Sequence, residues 1–156
     1  MTLLNDALDC EQQYNLTQLK IDKATPEDNE SLVRFFRQHP EVSFCDWQDQ
    51  QQMKTILGET STVCYVAKNE QQEVVGASLG GCLGSRGTVN HLAVSARWRK
   101  HGIASILAQK TIEYFKGRNI KRIFLFIDEE NRQAVKFWSS IGFEATLGEI
   151  TCELDI

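Results

Sequence analysis

A chain of 156 residues has room for one domain with a real core, and 42% hydrophobic with 24% charged residues is an ordinary globular balance. A formal net charge of −4 speaks against a nucleic-acid partner, which would call for a basic surface. Five cysteines without a C-x-x-C pair, and three histidines without an H-x-x-x-H pair, fit neither a disulfide framework nor a zinc site. No metal and a reducing cytoplasmic setting are therefore expected.

The first residues, MTLLNDALDC, carry acids where a secretory signal needs basic residues. An apolar run such as "IFLFI" at 123–127 is too short to span a bilayer. No membrane partner is expected. Residues 1–17 read as an N-terminal arm, frayed or briefly helical, and 18–156 as a single domain.

"QLKIDKAT" (18–25) alternates through Leu19 and Ile21 and predicts a strand. Thr25 then caps a helix that Pro26 opens, with Leu32, Phe35 and Phe36 on its apolar stripe and His39-Pro40 at its end. "DWQDQQQMKTIL" (46–57) predicts a second helix capped by Asp46. "STVCYVAK" (61–68) and "EVVGASLGGC" (73–82) predict a hairpin, and "TVNHLAV" (88–94) a further strand after the turn "LGSRGT". A helix follows from about Gly102 to Lys116, burying Ile103, Ile106, Leu107 and Ile112, with Gly117 as its C-cap. "KRIFLFI" (121–127) reads as a buried strand. "NRQAVKFWSSI" (131–141) reads as a helix with Ala134, Phe137, Trp138 and Ile141 on one side. "GFEATLGEITCELDI" closes the chain as one or two strands. The class is α+β: a mixed, mostly antiparallel sheet of six or seven strands with helices on both faces.

The chemistry concentrates in "VSARWRKHGIASIL" (94–107), where Arg97, Arg99, Lys100 and His101 precede Gly102 at the start of a helix. A helix N-terminus has unpaired N–H groups and about half a positive charge, a natural phosphate site. Gly in the first turn of a helix costs about 1 kcal/mol relative to Ala, which a solvated turn would not require. Gly102 lets the backbone approach an anion, Ala104 is small beside it, and Arg99 and Lys100 add charge at the rim. No Walker A loop and no G-x-G-x-x-G is present.

Arg99-Lys100-His101-Gly102-Ile103-Ala104 resembles the R/Q-x-x-G-x-G/A acyl-CoA pyrophosphate loop of the GCN5-related N-acetyltransferase (GNAT) family. The preceding Leu92-Ala93-Val94 and the later Asn131-x-x-Ala134-x-x-Phe137-Trp138-x-x-x-Gly142-Phe143 are similar to further family signatures. With the element order, the resemblance covers about residues 18–156, and the feel is that of small bacterial members. It implies acetyl-CoA as co-substrate and an amine acceptor, either a small molecule or a protein N-terminus. It implies that the backbone of Leu92, Ala93 and Val94 pairs with the pantetheine arm, and that the Val94 N–H faces the thioester carbonyl. Residues 99–104 would hold the pyrophosphate. Asn131 would contact the cofactor from the opposite side, with Phe137 and Trp138 beside it; Asn131 reads equally well as a helix N-cap.

Two departures stand out. Trp138 occupies the position where the family usually has a Tyr acid, and an indole cannot supply a proton. The strand at 88–94 offers no carboxylate base. Alternation puts Thr88 and Asn90 on one face and His91 on the other. By the resemblance, the substrate-facing parity is that of Thr88 and Asn90, unless a bulge reverses it. Asn90 and His91 are the side-chain candidates for catalysis. An active N-acetyltransferase is the primary reading, and an acyl-CoA-binding regulatory module without turnover is the second. Glu41, Asp46 and Asp49 could meet a cation in the acceptor loop, and are read first as solvated loop acids. The acceptor and the oligomeric state carry no readable code, and a homodimer stays open.

Overall fold

The computed structural model describes residues 18–154; the expected arm at 1–17 lies outside them. They fall into two compact units, one ending at Phe124 and one beginning at Leu125.

In the first unit, β1 (Lys20–Lys23) leads through a single 3-10 turn, Pro26–Asp28, into α1 (Asn29–Arg37). The Asp28 carboxylate accepts from the Thr25 N–H at 2.9 Å, so the expected cap is in place. α2 (Gln50–Gly58) starts four residues later than the 46–57 reading and is capped by Asp49, not Asp46. Asp49 accepts from the Gln52 N–H at 2.8 Å. Residues 45–48 are held as a turn instead: the Gln48 N–H donates to the Cys45 carbonyl at 3.0 Å.

β2 (Thr62–Lys68), β3 (Val74–Leu83) and β4 (Arg86–Val94) form an antiparallel meander, and with β5 (Arg122–Leu125) the sheet order is β1-β2-β3-β4-β5. β4 begins two residues before the expected 88, because Gly84, at φ +59°, and Ser85 turn the chain tightly between Leu83 and Arg86. Among the described residues the sheet has five strands rather than six or seven. Residues 142–154 form no strand, and Leu147, Ile150 and Leu154 are exposed. Their spacing of three and four, with Gly148 at φ +81°, does not meet the alternation a strand needs. β5 is shorter than 121–127 and only half-buried, with Phe126 75% exposed. It is an edge strand, paired on one side.

α3 (Ile103–Gly117) buries Ile103, Leu107, Thr111 and Phe115 at four-residue spacing. The expected Ile106 is 38% exposed and Ile112 only half-buried. Thr111 takes the central buried place because its hydroxyl has partners, donating to the Leu107 carbonyl at 2.9 Å and accepting from Ser78 at 2.8 Å. Gly117 is the last helical residue; the chain leaves through Arg118 and Asn119, the latter at φ +60°. One core cluster joins α1 and α2 to Cys64, Val66, Ala77 and Leu79, and another joins Ile103 and Leu107 of α3 to Ala67, Val75 and Val94. Val66 and Ala67 are neighbours on one strand and so point to opposite faces. The sheet therefore carries helices on both faces.

In the second unit, α4 (Arg132–Ile141) is capped by Asn131, whose Oδ1 accepts from the Ala134 N–H at 3.0 Å. Trp138 packs between Phe137 and Phe143, with ring centroids 5.1 Å from each.

Candidate functional site

β4 runs directly into the basic turn. The Ser95 N–H donates to the Val75 carbonyl at 2.8 Å, and a single 3-10 turn, Ala96–Trp98, then buries Trp98. Two left-handed residues follow, Lys100 at φ +63° and Gly102 at φ +81°. His101 Nδ1 stands 2.7 Å from the Arg99 carbonyl. Gly102 is the N-cap of α3, and its carbonyl accepts from the Ile106 N–H at 3.1 Å. A Cβ on Gly102 would meet nothing within 4 Å. The space where a Gly102 side chain would stand, at the start of α3, is thus open, beside an exposed Lys100. Glycine serves twice here, for the positive φ and for backbone access.

Arg99 behaves differently from a rim charge. Its Nε–H donates to the Val94 carbonyl at 2.9 Å and its Nη2 to Glu41 Oε1 at 2.8 Å. Glu41, read from sequence as solvated, is its ion-pair partner.

The register fixes where the backbone of Leu92 to Val94 points. Ser95 bonds across to Val75, and antiparallel pairs alternate between bonded and non-bonded. Val94, opposite Gly76, and Leu92, opposite Ser78, therefore turn their N–H and C=O groups away from β3. Ala93, between them, pairs with Ala77.

β4 also carries a bulge. Leu79 pairs with His91 and Gly80 with Val89, so Asn90 is the extra residue. Paired residues share a face. Thr88, opposite Gly81, and His91, opposite Leu79, consequently lie on the same face, which simple alternation denies. Asn90 is exposed at the bulge. Gly80 is what the bulge requires, because a Cβ there would stand 2.8 Å from the Thr88 carbonyl oxygen.

His91 is buried on the α1/α2 side, its ring 5.1 Å from Phe36 and 5.5 Å from Phe44. Gln48 Nε2 stands 3.3 Å from its Nε2. Burial pushes the imidazole pKa below the ordinary 6.5; backbone groups of Val42 and Asn90 offset this in part. His91 is accordingly a neutral imidazole at pH 7.

The residues from His91 to Ala104 thus form one continuous stretch of strand end, turn and helix start. Asn131, Phe137 and Trp138 belong to α4 and its cap in the second unit. Gln48 is missing from the sequence reading, and Glu41 stands there only as a solvated loop acid. They lie in the α1–α2 connection, 43 and 58 residues from the partners they touch, and no local pattern marks them. Among the described residues no cluster of His, Cys, Asp and Glu could hold a metal ion. No described helix is long and apolar enough to cross a membrane.

The sequence model of the acetyltransferase (GNAT) family matches residues 24–143, which takes in β2 to β5, the basic turn and α4. The chain belongs to that family. As a GNAT protein it is 33% identical over 58 residues to a mycothiol acetyltransferase of Thermobifida fusca, covering 37% of this chain and 18% of that one. It is 30% identical over 81 residues to an acetyltransferase of Pectobacterium atrosepticum, covering 49% of this chain and 57% of that one. The chain thus spans less than two thirds of the curated relatives it matches. Among solved structures, an aminoglycoside acetyltransferase from an uncultured soil metagenomic sample, in complex with trehalose, superimposes with a TM-score of 0.76 at 20% identity, covering 90% of this chain and 100% of that one. An aminoglycoside acetyltransferase in complex with the bisubstrate analog CoA-S-monomethyl-acetylneamine gives 0.74 at 16% identity, covering 88% and 99%. At these identities the likeness is one of GNAT fold.

Proposed function

We propose that this GNAT protein transfers an acetyl group from acetyl-CoA to a primary amine, of a small molecule or a protein N-terminus. The observation that carries the reading is the start of α3: Lys100 and Gly102, both left-handed, open the helix N-terminus onto space that a side chain would fill. That is the chemistry a pyrophosphate needs, with several N–H donors, a helix dipole and an adjacent cation.

The residues then take these roles. Lys100, His101, Gly102, Ile103 and Ala104 hold the pyrophosphate, chiefly through backbone N–H groups. Arg99 acts by bracing Val94, because its guanidinium is already bonded. The outward-turned backbone of Leu92 and Val94 pairs with the pantetheine arm, with Ala93 between them. Acetyl-CoA supplies the acyl group as a thioester. The Val94 N–H donates to its carbonyl oxygen, a contribution of about 3 kcal/mol for one such donor. His91 receives the amine's proton. Asn90 orients the amine by hydrogen bonding, since a carboxamide takes up no proton. Asn131, Phe137 and Trp138 are further cofactor contacts on the strength of their motif.

The names of the relatives point to amine acceptors of several kinds, among them aminoglycosides and a ribosomal-protein alanine. That range supports the reaction class rather than one acceptor. Trp138 at the family's Tyr position favours the second reading, an acyl-CoA-binding module without turnover. Calorimetric titration with acetyl-CoA tests the site. The wild type should bind and Gly102→Glu, which places a carboxylate in the open space, should not. Equal dissociation constants would reduce residues 99–104 to a plain turn.

A further inference from the structure

The connection between α1 and α2 holds one imidazole in a defined state. The Cys45 N–H donates to Gln48 Oε1 at 2.8 Å, which orients the carboxamide. Its Nε2 amino group then faces His91 Nε2 at 3.3 Å. An amide NH2 only donates, so His91 Nε2 is the acceptor and the ring proton sits on Nδ1. Nδ1 is buried and meets no hydrogen-bond partner in good geometry. The groups packed on the ring are Phe36 of α1, Phe44 and Gln48 of the connection, and the backbone of Val42 and Asn90. None of these side chains is charged, and no charged group contributes to the ring's titration.

We propose that Gln48 is a positioning residue for His91: it holds the imidazole in the Nδ1–H tautomer, with the Nε2 lone pair turned to the α1–α2 connection, ready to accept the amine's proton. The last clause rests on the acetyl-transfer reading; the tautomer does not. At 3.3 Å the Gln48 bond is long, and an amine or water donor displaces it. His91 then takes up at Nε2 the proton the amine loses as the C–N bond forms and the C–S bond breaks. The electron pair of the broken bond goes to sulfur, and His91 returns the proton to solvent.

The test is long-range proton–nitrogen NMR of the full chain labelled with 15N-histidine, at pH 7.5, with His91 assigned by His91→Gln. The wild type should show a protonated Nδ1 and a bare Nε2. Gln48→Ala should yield a mixture of tautomers. Gln48→Glu places a carboxylate on Nε2, and should raise the titration midpoint of His91 and the acid limb of kcat/KM together by about 1 pH unit or more. A protonated Nε2 in the wild type, or ring nitrogen signals unmoved in both Gln48 variants, would overturn the positioning role. Wild-type protein that shows the expected tautomer but releases no thiol with any amine would refute the proton-accepting clause and the acetyl-transfer reading, and leave Gln48 as the group that sets the tautomer.

Discussion

Arg99 and Glu41 lie 58 residues apart in the chain and 2.8 Å apart in the fold. The contact ties the turn before α3 to the connection between α1 and α2. The same guanidinium holds the Val94 carbonyl. The side chains of the ion pair are 43% and 33% exposed, and pairs that open to water contribute at most about 1 kcal/mol. Glu41→Gln should therefore lower the unfolding free energy in urea by under about 1 kcal/mol. Arg99→Ala also loses the charged hydrogen bond to Val94 and should cost about 2 kcal/mol. Equal losses in the two variants would mean that the Val94 contact contributes nothing.

Gly102→Ala separates backbone strain from ligand access. The φ of +81° disfavours any side chain, and no atom lies within 4 Å of the new methyl. The variant should fold, with about 1–2 kcal/mol less stability from the left-handed conformation alone. Thermal unfolding without ligand measures this. A loss well beyond that range would point to a clash that the geometry does not contain.

Stability should fall with acid through His91. Its pKa in the fold lies below the ordinary 6.5, so from that value downward the unfolded chain takes a proton that the fold refuses. The contribution is intact above pH 6.5 and is lost as pH falls toward the lower folded value. The wild-type midpoint of thermal unfolding should drop between about pH 7.5 and pH 5.5, and His91→Gln should drop less. An identical drop in both proteins would assign the effect to other groups.

The acceptor preference follows from the base. A lysine-like amine with a pKa near 10.4 is neutral in about one molecule in 10³ at pH 7.4, a penalty of about 4 kcal/mol. An α-amine near 7.8 costs about 0.7 kcal/mol. No carboxylate stands on β4, and a buried imidazole is a weak base. Matched α- and ε-amines compared at pH 7 should favour the α-amine in kcat/KM. A higher value for the ε-amine would indicate a stronger base elsewhere.

Local signals account for what could be read in the sequence. The Thr25 cap, the Gly102 turn and the Asn131 cap are all built by residues within a few positions of each other, and each forms where expected. The failures have three physical sources. Where a long-range partner decides, the local pattern misleads: the Ser78 hydroxyl gives the polar Thr111 a buried place on α3, while Ile106, expected inside, is 38% exposed. Where one residue shifts the register, every later parity changes: the bulge at Asn90 moves His91 to the face of Thr88. The end of the chain failed for a third reason. Its apolar residues looked like strand by type, and Leu147, Ile150 and Leu154 are not spaced like one.

Thiol release from acetyl-CoA, followed across a panel of small amines and N-terminal peptides, tests the central claim most directly. Transfer to an amine predicts release that depends on the acceptor, with one thiol for each acetylated amine formed, and its loss in Gly102→Glu. Acetyl-CoA that binds to the wild type and is never turned over with any amine would contradict it.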